Sequence, residues 1–285
     1  WPCSTPRGAD LVLAFNGNIS TSDNALLRAA VEQLLQRNVV RECFASASIE
    51  SAYLHGERDI YDKRRLDATW TLGPNNLFHH FLRIAGARGY RYMMQLEADV
   101  FPLREMWLDH LSCLARTTDA WVIGSPFLSN CAYDTRKHMC GELGDAIKFH
   151  INGNALYAVG QPAFLAFAQR AQSAELEMWP FDLALHLFLG RQTEELSRVL
   201  MRRFTYDPFI LNFGAEALSG ASLFSLRAEW PNAYLVHSSW WMRQLKQKAA
   251  SSTSLGSLSP IDTTLSNQSS ASMSASSPAL ASASA

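Results

Sequence analysis

The sequence of 285 residues lacks an excess of either charge and lacks a long apolar run. Its 25 lysines and arginines balance 26 aspartates and glutamates, which argues against a strongly basic nucleic-acid-binding protein. The best apolar stretch is interrupted by Gly160, Gln161 and Pro162 and falls short of the roughly 18 residues that a membrane span needs. We therefore expect no nucleic-acid partner, and a membrane anchor only if one precedes Trp1.

Motifs that mark several common enzyme classes are absent as well. No G-x-S-x-G elbow occurs, which argues against a serine hydrolase. No G-x-x-x-x-G-K-[ST] loop is present, so a P-loop nucleotidase is unsupported. The G-x-G-x-x-G fingerprint does not follow the first predicted strand, which argues against a standard dinucleotide dehydrogenase.

Cysteines are few, and their number, five, is odd. Cys131 and Cys140 lie nine residues apart, a spacing that permits a disulfide in an oxidising compartment and equally permits two free thiols. A zinc site that adds His138 is disfavoured, because no fourth ligand is evident. The sequons at Asn18 and Asn267 weakly favour a glycoprotein of the secretory pathway.

Charge and large apolar residues are scarce at the C-terminal end. Residues 249–285 contain 14 serines and one charged side chain, Asp262. Such a segment buries too little apolar surface to offset the entropy of ordering, so we predict that it is disordered. Residues 1–248 have the length of one large α/β domain.

The start of the chain has the pattern of a β-α-β unit. Leu11 to Phe15 is a short apolar run that predicts a buried strand, and 26–35 carries apolar residues at helical spacing. Glu42 to Ile49 alternates like a strand. This order predicts a Rossmann-like sheet whose ligands bind beyond the carboxyl ends of its strands.

Later segments continue the alternation of strands and helices. Strands are predicted at 90–96, 120–125 and 232–237, a strand pair around a glycine turn at 149–159, and helices at 75–85, 104–115, 162–171 and 182–189. Gly73-Pro74 is expected to break the chain. His79 and His80 point about 100° apart on their helix, so we interpret them as surface or groove histidines rather than ligands of one metal.

Two carboxylates, Glu97 and Asp99, follow the predicted strand that ends at Leu96. Alternate residues of an extended chain share a face, so both could approach one divalent ion. Oxygen ligands suit Mn²⁺ or Mg²⁺, which bind diphosphates. The alternative is a solvated acidic turn, since acidic residues are usually exposed.

Three further segments carry polar groups suited to a site. Asn152-Gly153-Asn154 combines amide side chains with a glycine that lets backbone approach a ligand. Asp182 begins a predicted helix and could act as a cap or as a base, and His237 ends a late strand. Each residue also has a purely structural interpretation; their order along the chain is the stronger signal.

These segments, in this order, resemble glycosyltransferases of the GT-A fold. The stretches QLEADVFPLREMWLDHL and HINGNALY are also similar to eukaryotic, notably algal, nucleotide-diphospho-sugar transferase-like proteins, and the resemblance covers roughly Leu11 to Ser239. It implies a three-layer α/β/α domain with a mixed central sheet. It further implies a D-x-D-like motif at Glu97 and Asp99, and a metal shell completed by His237.

The resemblance also implies an activity and a location. Glu97, Asp99 and the Asn152–Asn154 loop would bind a nucleoside-diphosphate sugar with Mn²⁺ or Mg²⁺, and Asp182 would be the general base toward a glycan or protein hydroxyl. The Golgi lumen is the expected compartment. Glu97 replaces the first Asp of the motif and Phe181 replaces a Glu beside Asp182. These departures keep two alternatives open: an inactive sugar- or protein-binding domain and a metal-dependent phosphoesterase.

Overall fold

The computed structural model describes residues 2–4, 8–61, 71–128, 149–173, 176, 178–213 and 222–239. These described residues belong to one compact unit, Trp1–Gln244. The predicted disordered segment 249–285 and the pair Cys131 and Cys140 lie outside the described residues. No described helix is long and apolar enough to cross a membrane.

The described part of the chain is a mixed α/β structure. Its helices are α1 Ala25–Leu35, α2 Asn38–Cys43, α3 Leu72–Ala87, α4 Trp107–Thr117, α5 Pro162–Ser173, α6 Phe181–Gly190, α7 Glu194–Met201 and α8 Leu223–Glu229. Its strands are β1 Asp10–Phe15, β2 Ser46–Ser51, β3 Met93–Met94, β4 Val100–Pro102, β5 Val122–Gly124, β6 Phe127–Leu128, β7 Leu156–Tyr157, β8 Phe204–Tyr206, β9 Ile210–Phe213 and β10 Leu235–His237.

The strands of the described residues form three hydrogen-bonded sheets rather than one continuous central sheet. One sheet pairs β1 with β2, a second has the order β3-β7-β5-β8, and a third has the order β4-β10-β9-β6. Parallel pairs, such as β9 with β10, occur beside antiparallel pairs, such as β4 with β10. The mixed α/β class predicted from the sequence is confirmed at this level.

The first β-α-β unit is present with shifted boundaries. Strands β1 and β2 are parallel, with Asp10 opposite Ser46 and Phe15 opposite Ser51. The residues before Phe44 form helix α2, so the predicted strand from Glu42 begins four residues too early. Helix α1 buries only part of the predicted apolar stripe, since Val31 is buried but Leu26 is 89% exposed.

The largest hydrophobic core lies where α3, α5 and α6 pack around β7. Tyr157 and Phe164 are fully buried there, and the ring of Phe181 stacks on Phe78 with centroids 3.8 Å apart. Aromatic rings of this size bury large apolar areas, so they fix α6 relative to α3. This packing sets the position of the residue after Phe181, the predicted base Asp182.

Three local predictions were wrong in detail. Gly73-Pro74 does not break the chain, because it lies in the first turn of α3, where proline is tolerated. The strand predicted over 90–96 is reduced to β3. The strand pair predicted over 149–159 does not form, because β7 pairs with β3 and β5 and Ile151 makes an isolated bridge to Pro126.

A disulfide joins Cys3 to Cys43, a pairing that the sequence did not indicate. Both cysteines are buried and pack against Leu108 at the start of α4. The backbone nitrogen of Leu108 donates to the carbonyl of Pro2 at 2.9 Å. The disulfide therefore ties the N-terminal segment to α2 where that segment meets α4.

Candidate metal centre

Glu97 and Asp99 occupy the connection between β3 and β4. The backbone nitrogen of Val100 donates to the carbonyl of Glu97 at 3.1 Å, which closes a tight turn. The expected extended geometry is therefore wrong, and a turn brings the two carboxylates together instead. The backbone nitrogen of Ser238 donates to the carbonyl of Asp99 at 3.1 Å and attaches this turn to the end of β10.

His237 reaches both carboxylates from β10. In the antiparallel pairing of β10 with β4, His237 is opposite Val100, the residue after Asp99. Its Nε2 lies 2.8 Å from Oε2 of Glu97 and 3.3 Å from Oδ1 of Asp99. One ligand atom from each of the three residues lies within 4.8 Å of the others. The side chain of Glu97 is 49% exposed, so the cluster is open to a ligand on that side.

The cluster stabilises positive charge. Burial, the largest single influence, lowers the pKa of His237, but hydrogen bonds to Asp99 and Glu97 and their negative charges outweigh it and raise the pKa to about 9. Two carboxylates and one imidazole are a donor set suited to Mn²⁺, and their oxygens also suit Mg²⁺. The three residues therefore fit the divalent ion expected from the sequence.

The predicted loop Asn152-Gly153-Asn154 lies directly beside this cluster. The side-chain oxygen of Asn154 accepts from the backbone nitrogen of Glu97 at 2.7 Å, and its Nδ2 donates to Oε2 of Glu97 at 3.2 Å. Asn152 accepts from Nδ2 of Asn154 at 3.1 Å. Asn154 is completely buried, and its hydrogen bonds orient the carboxylate of Glu97 from the protein interior.

Gly153 has a packing role that the sequence did not indicate. A Cβ placed at Gly153 would lie 2.8 Å from the ring of Phe181. The glycine is thus required by packing against the core, and the expectation that it brings backbone close to a ligand is not needed to explain it. Phe181 belongs to the same core and is buried.

Asp182 connects this loop to α6. Its Oδ2 accepts from the backbone nitrogen of Gly153 at 2.8 Å, and its Oδ1 accepts from that of Leu183 at 2.9 Å. Nε2 of His150 lies 3.5 Å from Oδ2. Burial, the largest influence, raises the pKa of Asp182, but His150 and the two backbone donors together lower it, so the carboxylate is ionised. The residue at the N-cap position of α6 is Pro180, so Asp182 is not the cap.

The predicted site residues thus form one contiguous network. Asp182 contacts Gly153, whose neighbour Asn154 contacts Glu97, and Glu97 and Asp99 meet at His237.

Sequence reasoning missed two polar residues of this region, Asn212 and Ser125, because nothing in their local patterns distinguishes them from ordinary core positions. It noticed the stretch HINGNALY that begins at His150 but assigned that histidine no role.

The paired histidines of α3 lie outside this network. His79 is buried, which corrects the expectation of a surface or groove residue, and His80 is half-buried. Desolvation, with a smaller contribution from the charge of Arg83, lowers the pKa of His79 to about 4. His79 is therefore a neutral core residue at physiological pH.

Comparison with known proteins gives no further identification. No family profile matches the chain, and no curated protein matches it significantly.

Proposed function

We propose that this chain is a metal-dependent glycosyltransferase with a variant of the GT-A fold. The reaction would transfer a sugar from a nucleoside-diphosphate donor to a hydroxyl of a glycan or protein. The observation that carries the proposal is that Glu97 and Asp99, together with His237 from a distant part of the sequence, place their ligand atoms within 4.8 Å of one another. The parallel β1-α1-β2 unit and the turn between β3 and β4 that bears the acidic pair support it.

Glu97, Asp99 and His237 would hold Mn²⁺ or Mg²⁺. The ion would supply positive charge to the diphosphate leaving group. Within the protein, Asn154 orients Glu97 through two hydrogen bonds, and the 49% exposed face of Glu97 leaves room for the donor. Asn152 and the backbone at Gly153 would also contact the nucleotide-sugar donor.

Asp182 is the proposed general base for an inverting reaction. It is ionised, as a base must be, and it adjoins the loop that contacts Glu97. Its side chain is only 10% exposed, so an acceptor hydroxyl would have to approach through that narrow opening.

The secretory pathway, with the Golgi lumen as the specific compartment, is the proposed location. The Cys3–Cys43 disulfide supports an oxidising compartment. Asn18 is exposed in the loop after β1, as a glycosylated residue must be. Expression through a secretion signal should give a product that loses mass with peptide N-glycosidase and loses less after Asn18→Gln.

The test of function is incubation with Mn²⁺ and a panel of nucleotide sugars, with and without sugar acceptors. A transferase releases nucleoside diphosphate, and this is the expected product. Release of nucleoside monophosphate would favour the metal-dependent phosphoesterase, and binding of nucleotide sugar without any product would favour the inactive binding domain. Either result would overturn the proposal.

A matched pair of variants ties the result to the site. Asp99→Asn removes a carboxylate charge from the metal centre, and we expect it to abolish Mn²⁺-dependent donor binding measured by calorimetry. Asp119→Asn makes the same change at a side chain that is 83% exposed, where a surface ion pair with Arg203 contributes little to stability. Donor binding that is unchanged in Asp99→Asn would contradict the assignment.

A further inference from the structure

A buried chain of polar side chains lies behind His237. Nδ1 of His237 lies 3.2 Å from Oδ1 of Asn212, and Nδ2 of Asn212 donates to Oγ of Ser125 at 2.9 Å. The hydroxyl of Ser125 donates in turn to the backbone carbonyl of Ile210. Asn212 is completely buried and Ser125 is 4% exposed.

The position of Asn212 makes its polarity unusual. It lies on β9, which pairs with β10 on one side and β6 on the other, and its neighbours Ile210 and Leu211 are buried apolar residues. Asn212 is the register partner of His237 in the parallel β9–β10 pair. A buried amide is costly unless it is hydrogen-bonded, so an apolar residue would otherwise be expected here.

The direction of every hydrogen bond in this chain is fixed by its far end. The carbonyl of Ile210 can only accept, so the hydroxyl of Ser125 must donate to it, which leaves the oxygen of Ser125 to accept. The amide group of Asn212 must then direct its NH₂ at Ser125. The backbone carbonyl of Ser125, 3.4 Å from the same Nδ2, is a second and weaker acceptor that favours the same orientation.

The orientation of the Asn212 amide determines the tautomer of the His237 imidazole. With its NH₂ directed at Ser125, Asn212 presents Oδ1 to His237, and an oxygen that only accepts requires a proton on Nδ1. The neutral imidazole therefore has its lone pair on Nε2, the nitrogen that faces Glu97 and Asp99.

We propose that Asn212 is a positioning residue that holds His237 in the Nδ1–H tautomer, so that the lone pair of Nε2 is available to bind a divalent cation. The proposal rests on the metal centre proposed above and deepens it. A partner on the second nitrogen of a ligating histidine fixes the tautomer and the orientation of the ring, and its loss typically weakens metal binding by about 10- to 100-fold.

The test compares the Mn²⁺ affinity of variants by calorimetry. Asn212→Leu removes the acceptor, and we expect binding to weaken by about 10-fold or more. Asn212→Asp keeps an oxygen toward Nδ1 and should retain much tighter binding than Asn212→Leu. Asn232→Leu is the control, because it makes the same change at an exposed residue of a turn and should leave affinity unchanged.

Two further measurements keep the proposal falsifiable if Asn212→Leu does not fold. Ser125→Ala removes the nearer of the two acceptors that orient the amide, leaves Asn212 and the weaker backbone acceptor in place, and should therefore weaken Mn²⁺ binding to an intermediate extent. Long-range ¹⁵N–¹H spectra of histidine-labelled wild type loaded with diamagnetic Mg²⁺ should show the His237 proton on Nδ1.

The outcomes separate this inference from the proposed function. Wild-type Mn²⁺ affinity in folded Asn212→Leu, or in Ser125→Ala, would overturn the inference, as would a proton on Nε2 of His237. Wild-type protein that binds no Mn²⁺ would overturn both the metal centre and the role of Asn212. Mn²⁺ binding that weakens in Asn212→Leu, without release of nucleoside diphosphate by the wild type, would overturn the transferase and support the inference.

Discussion

Asp182, the proposed general base, can be tested by a substitution that keeps its hydrogen bond to Gly153 but removes its basicity. Asp182→Asn keeps one oxygen that can accept from the backbone nitrogen of Gly153, so the fold should be retained. The variant cannot accept a proton from a hydroxyl. We therefore expect turnover to fall by about 100-fold or more while donor affinity stays near the wild-type value. Steady-state kinetics beside calorimetry with the donor would check both.

The same experiment distinguishes the structural role of Asp182. If the carboxylate only holds the loop through Gly153, donor affinity and turnover should both stay near the wild-type values, because Asp182→Asn keeps that hydrogen bond. Near-normal turnover in Asp182→Asn would contradict the role as base. His150, which faces Oδ2 at 3.5 Å, would then be the next residue to test.

His79 gives a prediction of pH dependence. Its pKa is lowered to about 4 in the folded protein from an ordinary value of 6.5, mainly by burial. A neutral imidazole is thus favoured by folding, so its contribution is fully present above pH 6.5 and is lost as the pH falls toward 4. The difference corresponds to about 3 kcal/mol of unfolding free energy.

Urea unfolding between pH 7 and pH 4 measures this contribution. His79→Gln, which does not titrate, should lose less stability on acidification than the wild type. His55→Gln, at an exposed position, should follow the wild-type curve. Parallel curves for wild type and His79→Gln would contradict the prediction.

At the scale of elements, the contact between the Gly153 loop and α6 couples the core to the site. A Cβ at Gly153 would lie 2.8 Å from the ring of Phe181, and this ring cannot move away because it stacks on Phe78. We expect Gly153→Ala to destabilise the fold by about 1–3 kcal/mol, the usual cost of overpacking. Thermal and urea unfolding would measure it.

A double variant supplies the control. Adding Phe181→Leu to Gly153→Ala frees space at the contact, so the two changes should destabilise less together than the sum of their separate effects. Strict additivity would show that the strain arises elsewhere.

The order of elements could be predicted from sequence, whereas their partners could not. Helices α5 and α6 and strand β1 follow directly from apolar spacing and closing turn residues. Strand β7 has only two residues, and its pairing with β3 and β5 depends on contacts distant in sequence. The predicted apolar stripe of α1 is buried at Val31 but exposed at Leu26, because periodicity shows which face is apolar and not what covers it.

The candidate site could be predicted better than the fold around it. Glu97, Asp99 and His237 are chemically distinctive residues at strand ends, and those ends meet through the β4–β10 pair. The turn that brings the two carboxylates together, the hydrogen bonds of Asn154 and the buried Asn212 all depend on tertiary contacts. A buried amide has no sequence signature, so it is recognised only when its partners are known.

At the scale of the whole molecule, the Cys3–Cys43 disulfide joins residues 40 positions apart in sequence and closes a loop that contains β1, α1 and α2. Cross-linking a loop of this size lowers the entropy of the unfolded chain and typically stabilises a protein by about 2–4 kcal/mol. The N-terminal segment that it anchors also contacts α4, where Ser4 donates to Asp109 at 2.8 Å. The bond should therefore matter for global stability.

Replacing both Cys3 and Cys43 with alanine should lower the urea-derived free energy of unfolding by about 2–4 kcal/mol. Wild-type protein under strong reductant should show most of the same loss, which separates the covalent bond from the packing of the two buried side chains. Cys113→Ala is the control, because this thiol is free and exposed and its removal should have little effect. Equal stability of the oxidised wild type, the reduced wild type and the double variant would contradict the role of the bond, and would remove the strongest structural support for an oxidising compartment.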